Sequence, residues 1–390
     1  MSGKREQFLP YCLPDITDEE VAEVVAALRS GWLAKGPRTH EFEKQFAAYV
    51  GAKYAVGMNS CTAALHIALV AAGIGPGDEV ITSPMTFAAS ANTIIHVGAK
   101  PVFVDIDADT GCIDPQLIEE AVTARTKAIV PIHYAGQSCD LDAIYAIAHK
   151  HNLFVSEDAA HGLDTEYKGR LIGHNAPGAV SYSFYATKNI CTGEGGMLTT
   201  DDERLADRAR TLVTHGMSKN AWNRYTKGGS WRYDIEEPGF KYNMFDLQAA
   251  LGIVQLRRLT EMQTKRTQVA ERYNSAFSKL DFCQVPTVKP YTTRHSWHLY
   301  PLRLRPGVLS IDRDTFIERL NEHNIGTSVH FIPVHLMSAY RHRFGLKEGD
   351  FPVAEAWFNS VLSLPLYPTM TDVDVQHVIE AVVCIGESVQ

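Results

Sequence analysis

Residues 181–196 read Ser-Tyr-Ser-Phe-Tyr-Ala-Thr-Lys-Asn-Ile-Cys-Thr-Gly-Glu-Gly-Gly, with Lys188 at their centre. A β-rich apolar run enters the lysine, and a glycine-rich turn leaves it before the strand-like Met197-Leu198-Thr199-Thr200. A lysine at the end of a strand, beside hydroxyls and pliable backbone, is what a carbonyl cofactor needs for a Schiff base. The same pattern also reads as a surface lysine in a loop, so the flanking chain has to decide.

Outward from this stretch, short β-rich runs alternate with helical ones. Strands are predicted at 54–57, 79–82, 101–104, 128–132, 154–156, 179–184 and 196–199, with helical patterns such as 63–72 and 140–151 between them. That alternation predicts an α/β fold with a mainly parallel sheet covered by helices on both faces. Ligands in such sheets bind beyond the carboxyl ends of the strands.

Four features fall at those ends. The first strand leads into Asn59-Ser60-Cys61-Thr62, where a helix begins and its open amides and hydroxyls can seat a phosphate. The second leads into Ser83-Pro84-Met85-Thr86-Phe87, which offers an aromatic face. The fifth ends in Glu157-Asp158-Ala159-Ala160-His161-Gly162, an acid and a histidine, and the sixth runs into Lys188. Singly, Ser60 and Thr62 read as a helix cap, Phe87 as core and Asp158 as a structural acid. Together, lysine, acid, aromatic and phosphate seat are the parts of a pyridoxal phosphate site. In such a site the acid would pair with the pyridine nitrogen, the ring would stack on Phe87, and the phosphate would meet Thr62 and Ser183.

Before the sheet, Thr17-Asp18-Glu19-Glu20 predicts a capping box, followed by Val21, Val24, Val25 and Leu28 at helical spacing and Gly31 as the stop. A second amphipathic segment spans 41–50 and ends at Gly51, and Trp32 and Leu33 lie in an irregular stretch between the two. After about residue 200 the pattern changes: a helix at 205–214, an aromatic, Gly-rich loop at 222–240, and a long helix at 246–280 with Leu247, Ala250, Leu251 and Val254 on one face. A strand at 297–304, a helix at 315–323, a strand at 327–332 and a helix at 372–385 complete a smaller α+β unit. The expected division is a large unit over 1–255 and a small C-terminal one over 256–390, sharing an interface.

The totals narrow the function classes. Of 390 residues, 45% are hydrophobic and 21% charged, a globular profile, and the net charge of −8 speaks against a nucleic-acid surface. No secretory leader is legible and no apolar run approaches the ~18 residues of a membrane span, so a cytoplasmic location is expected. The seven cysteines show no Cys-x-x-Cys spacing, and Pro333 breaks any helix that could carry both His330 and His335, so neither a disulfide framework nor a metal site is expected.

At this point a resemblance enters. Ser30-Gly31-Trp32-Leu33 with Gly36-Pro37, Gly77-Asp78-Glu79-Val80-Ile81-Thr82, Glu157-Asp158-Ala159-Ala160-His161, Ser183-Phe184 with Lys188 and Gly193-Glu194-Gly195-Gly196, and Leu362-Ser363-Leu364-Pro365-Leu366-Tyr367-Pro368 carry it. Nearly end to end, the chain resembles the pyridoxal-phosphate sugar aminotransferases of the DegT/StrS type, which have the type I, aspartate-aminotransferase fold. The resemblance implies that Lys188 forms the Schiff base with pyridoxal 5'-phosphate and that Asp158 bonds its pyridine nitrogen. It implies that His161 lies against the ring edge, that Phe87 stacks on its face, and that Ser183, Thr62 and the amides at Cys61 hold the phosphate. It also implies that Asn243 is contributed by a partner subunit, so that a homodimer shares its sites.

Cys61-Thr62 stands where many relatives have glycine-threonine. Phe240-Lys241-Tyr242-Asn243 is more similar to the 4-keto-pentose aminotransferase of lipid A modification. Trp297-His298-Leu299-Tyr300-Pro301 and residues 330–336 are more similar to enzymes that aminate UDP-4-keto-6-deoxy-N-acetylhexosamines. The implied reaction moves an amino group from L-glutamate to C4 of a nucleotide-linked, UDP-type 4-keto sugar; a UDP-4-keto-pentose is the alternative acceptor. Trp32, Lys241 and His335 are candidate substrate contacts. Two rival classes carry less. Sugar dehydratases of similar sequence have histidine in place of the lysine, and no added DNA-binding unit supports a non-catalytic regulator.

Overall fold

In a computed structural model, which describes residues 5–217 and 233–390, the seven predicted strands all form. They are β1 (Tyr54–Met58), β2 (Glu79–Thr82), β3 (Lys100–Phe103), β4 (Thr126–Val130), β5 (Phe154–Asp158), β8 (Ala179–Ser183) and β9 (Gly196–Thr200), with a short hairpin of β6 (Glu166–Tyr167) and β7 (Arg170–Leu171) between β5 and β8. The sheet order is β1-β9-β8-β5-β4-β2-β3. β9 alone runs against the rest: it pairs antiparallel with both β1 and β8, whereas β8, β5, β4, β2 and β3 pair in parallel.

Period-two alternation explains why both faces are covered. In β2, Val80 packs with Leu65, Leu69 and Val130 on one side, while Ile81 joins Phe42, Phe46 and Val180 on the other. In β8, Ala179 and Val180 divide in the same way. Helix α1 (Asp18–Ser30) has the Thr17/Glu20 capping box and a left-handed Gly31 at its end, and α2 (Pro37–Val50) follows it. Helix α3 (Cys61–Ala71) is apolar on nearly every side, with Cys61 and residues 63–69 buried, so it lies within the core and only its first turn opens outward. Helix α4 (Ala88–His96) crosses from β2 to β3.

The 32-residue helix Asp246–Phe277 joins two cores. Its Ala249, Leu256 and Met262 belong to the core of the large sheet, and its Val269, Tyr273 and Phe277 to a second one. That second core packs under β10 (Cys283–Gln284), β12 (Tyr300–Leu304) and β13 (Val361–Leu364), an antiparallel sheet, and under the final helix Asp372–Ser388. A third sheet places β11 (Thr292–Arg294) beside the β6–β7 hairpin.

Three sequence expectations change. The strand expected at 327–332 is absent: Ser328 alone bridges to Ser363, and the chain then turns Val329, His330 and Phe331 toward a cavity rather than along a ladder. The strand expected from 297 begins at Tyr300, because Trp297 takes a positive φ of 45° and bends the chain. In α1 the buried residues are Glu20 and Ala27, whereas Val21 and Leu28 are exposed. Most of the loop expected at 222–240 lies outside the described residues. Among the described residues, no helix is long and apolar enough to cross a membrane.

Candidate active site

Strand direction assembles the site. β1, β2, β5 and β8 point the same way, so their carboxyl ends share one edge, and the reversed β9 brings its start, after Glu194-Gly195, to that edge as well. A cavity of about 640 Å³ opens there, within the usual size range of ligand pockets. Cys61, Thr62, Phe87, Asp158, His161, Ser183 and Lys188 all line it.

The phosphate seat is local in origin. Ser60 Oγ accepts from the Ala63 amide (3.1 Å), and the amides of Cys61 and Thr62 in the first turn have no carbonyl one turn back within the helix. Gly196 is required beside this turn by close approach: a Cβ there would sit 2.4 Å from the Ser60 carbonyl carbon and 2.5 Å from the Cys61 nitrogen. A side chain at 196 would push β9 off the N-terminus of α3.

Asp158 closes β5 and is buried. Its Oδ2 accepts from Ser90 Oγ (2.7 Å) and its Oδ1 from the Ala160 amide (3.0 Å). Burial dominates and raises its carboxyl above the ordinary value, against the lowering effect of those bonds and of Lys188 and His133. A cationic ring nitrogen is the group that such an acid lacks. Burial pulls the Lys188 amine down to about 8, opposed by Cys61, Asp158 and Cys12. The lysine therefore has a far larger uncharged fraction near physiological pH than an ordinary lysine, as a nucleophile or proton carrier needs.

His161 accepts from the Ala135 amide through Nδ1 (3.3 Å), so its proton sits on Nε2. Its ring packs against those of His298 (centroids 4.3 Å apart) and Phe331 (5.7 Å). Burial, then Lys188 and His330, lower its pKa well below the usual histidine range, so it is neutral. Phe87 is not core: it is 66% exposed at the mouth of the cavity, 6.3 Å from the Phe331 ring. The amides at α3, the hydroxyls of Thr62 and Ser183, the buried acid and the lysine together fit pyridoxal phosphate.

Other candidates lie outside this cavity. His335 is a correction: it is fully buried, its Nε2 bonds Glu355 (2.8 Å) and its ring packs on Phe351 (4.8 Å), so it is tied into the fold away from the cavity. Trp32 is 53% exposed on the loop before α2, and Lys241 is exposed beside Thr214. Asn243 bridges to Met58 at the end of β1. Its Nδ2 donates to the Met244 carbonyl (3.0 Å), while its buried Oδ1 has no partner among the described residues.

Sequence reasoning missed Ser90, Tyr185, His298, His330 and Phe331 as site residues. Ser90 lies inside α4, four residues after Thr86, whose hydroxyl it meets at 2.7 Å. Nothing in the sequence links it to Asp158. His298 and His330 stand inside the two stretches that serve as subgroup signatures, which is the signal that could have found them.

Residues 14–383 match the profile of the DegT/DnrJ/EryC1/StrS aminotransferase family. The chain is 59% identical to the spore coat polysaccharide biosynthesis protein SpsC of Bacillus subtilis over 98% of each chain. It is 42% identical to the UDP-4-amino-4-deoxy-L-arabinose–oxoglutarate aminotransferase of Shewanella sediminis, over 96% of this chain and 97% of that one. Among solved structures, Spr1654 of Streptococcus pneumoniae in its PLP form superposes with a TM-score of 0.91 at 37% identity, covering 98% of this chain and 100% of that one.

Proposed function

We infer the substrates from a premise: this chain belongs to the DegT/DnrJ/EryC1/StrS aminotransferase family and is a pyridoxal-phosphate-dependent nucleotide-sugar aminotransferase. The amino group passes from L-glutamate to C4 of a UDP-linked 4-keto-6-deoxy-N-acetylhexosamine. The meeting of Lys188, Asp158 and the α3 N-terminus in one cavity supports the amino transfer, and Trp297-His298-Leu299-Tyr300-Pro301 with residues 330–336 supports the hexosamine as acceptor.

Pyridoxal phosphate, when bound, supplies the electron sink that lets a proton leave the carbon bearing the amine. Cys61, Thr62 and Ser183 would hold its phosphate, Phe87 would cover its ring, His161 would offer Nε2–H at its edge, and Asp158 would keep its nitrogen protonated. Lys188 Nζ takes the proton from Cα of the donor and, in the second half-reaction, delivers one to C4 of the sugar. An amine near 8 exchanges that proton in either direction at neutral pH. The cycle is ping-pong. Asn243 reaches the site of a second copy, so two chains share their sites, and the work is done in the cytoplasm.

A UDP-4-keto-pentose acceptor is the second reading, supported by the 42% identical Shewanella relative and by Phe240-Lys241-Tyr242-Asn243. Purified protein incubated with L-glutamate and either UDP-4-keto sugar, with Lys188→Ala as the control, decides between them. The hexosamine should give an amino sugar and 2-oxoglutarate at the higher kcat/KM. A preference for the pentose selects the second reading, and no product from any UDP-4-keto sugar refutes both.

A further inference from the structure

We propose that His298 is a positioning residue: a neutral hydrogen-bond acceptor, locked in one tautomer, that holds the Lys188 amine at the cavity floor. The inference rests on Lys188 being the reactive amine, and its argument is a chain of donors and acceptors with one solution. Gln263 Nε2 donates to the His295 carbonyl (3.1 Å), which turns its Oε1 toward Asn189. Asn189 Nδ2 donates to that oxygen (3.3 Å) and to the Ser296 carbonyl (2.8 Å). Carbonyl oxygens only accept, so the Asn189 amide can face only one way, with Oδ1 toward His298 Nδ1 at 3.1 Å. That oxygen also only accepts, so the His298 proton is on Nδ1. Its Nε2 is left as a bare lone pair, 3.5 Å from Lys188 Nζ.

The surroundings keep it so. His298 is buried, with Lys188, His161, Arg266 and His330 around it, and burial, followed by the repulsion an imidazolium would meet from these neighbours, keeps its pKa well below the ordinary histidine value. Arg266 reaches it from the long helix, where it donates to the carbonyls of Trp297 (3.3 Å) and Leu366 (3.0 Å). The other titratable groups facing Lys188 are Asp158, Cys61, Cys12, His161 and His330. His298 thus accepts from the lysine without placing a further cation beside an amine that must shed its proton to react.

In cofactor-stripped protein, the rate of covalent pyridoxal phosphate uptake, trapped with borohydride across a pH series, reports the neutral fraction of the reacting lysine. The wild-type rate should rise through a midpoint near 8, with the label on Lys188. His298→Phe keeps a ring but removes the acceptor, so the ammonium is less stabilised and the midpoint should fall by about 0.5 pH unit or more. His298→Gln, whose Oε1 can take the place of Nε2, should restore it. An unchanged midpoint in His298→Phe, or no recovery in His298→Gln, overturns the inference. If His298→Phe does not fold, Asn189→Leu frees the tautomer and should lower the midpoint too; an unchanged midpoint there overturns it equally. Label on a residue other than Lys188 in the wild type overturns the underlying site assignment instead.

Discussion

At the scale of single residues, the site works by setting the charge of buried groups. Burial pushes the Asp158 carboxyl up toward the neutral acid, and two neutral donors, Ser90 Oγ and the Ala160 amide, oppose that by bonding its charged form. Thr86 in turn meets the Ser90 hydroxyl. Ser90→Ala removes one donor from a buried charged acceptor, a loss of about 1–3 kcal/mol. Pyridoxal phosphate should therefore bind roughly tenfold more weakly, because the charged form of the acid proposed to face the ring nitrogen is less populated. Equilibrium titration of the stripped variant with the cofactor measures this, and an unchanged Kd refutes it. Asp158 was legible in the sequence as an acid at a strand end. Ser90, 68 residues away, was not, since a serine inside a helix has no pattern that names its partner.

At the scale of elements, α1 is held to the helix Asp246–Phe277 by a buried acid rather than by its apolar stripe. Glu20 accepts from the Thr17 amide (2.8 Å), Gln255 Nε2 (2.7 Å) and Arg258 Nη1 (2.7 Å), and Arg258 also pairs with Asp15 (2.8 Å). Burial alone would raise the Glu20 carboxyl, but these bonds prevail and hold it at about 2, below the ordinary 4.5. A carboxyl lowered on folding binds fewer protons folded than unfolded, so its stabilisation is complete above the ordinary value and is lost as pH falls toward the folded one. Glu20→Gln should cost about 1–3 kcal/mol at neutral pH. The gap from wild type should close between pH 4.5 and about 2. Denaturant unfolding at several pH values reads both, and a gap that does not change with pH counts against the account. The capping box announced where α1 begins because Thr17 and Glu20 are neighbours in sequence. Arg258 and Gln255 lie more than two hundred residues on, so the second duty of Glu20 appears only in the folded chain.

At the scale of the whole molecule, one copy leaves features without a use. Val21, Leu28, Trp32, Leu33 and Phe87 are at least half exposed, and the Asn243 Oδ1 is buried with no partner among the described residues. The proposed sharing of sites in a homodimer would account for both, and complementation tests it. Lys188→Ala and Asn243→Ala should each be nearly inactive. Co-refolded in equal amounts, they should recover about a quarter of wild-type activity, since half of the dimers carry one intact site. No recovery in mixed dimers refutes the shared site. The sequence by itself determined the alternation of strands and helices, and with it the parallel sheet whose ends carry Thr62, Phe87, Asp158 and Lys188. Periodicity and caps are local, and the strand-end rule follows from them. Only the tertiary structure decided which way β9 runs, that His335 turns into the fold, and that Ser90 and His298 stand against Asp158 and Lys188. Those contacts join segments 68 and 110 residues apart, and only the packing of the whole sheet selects them.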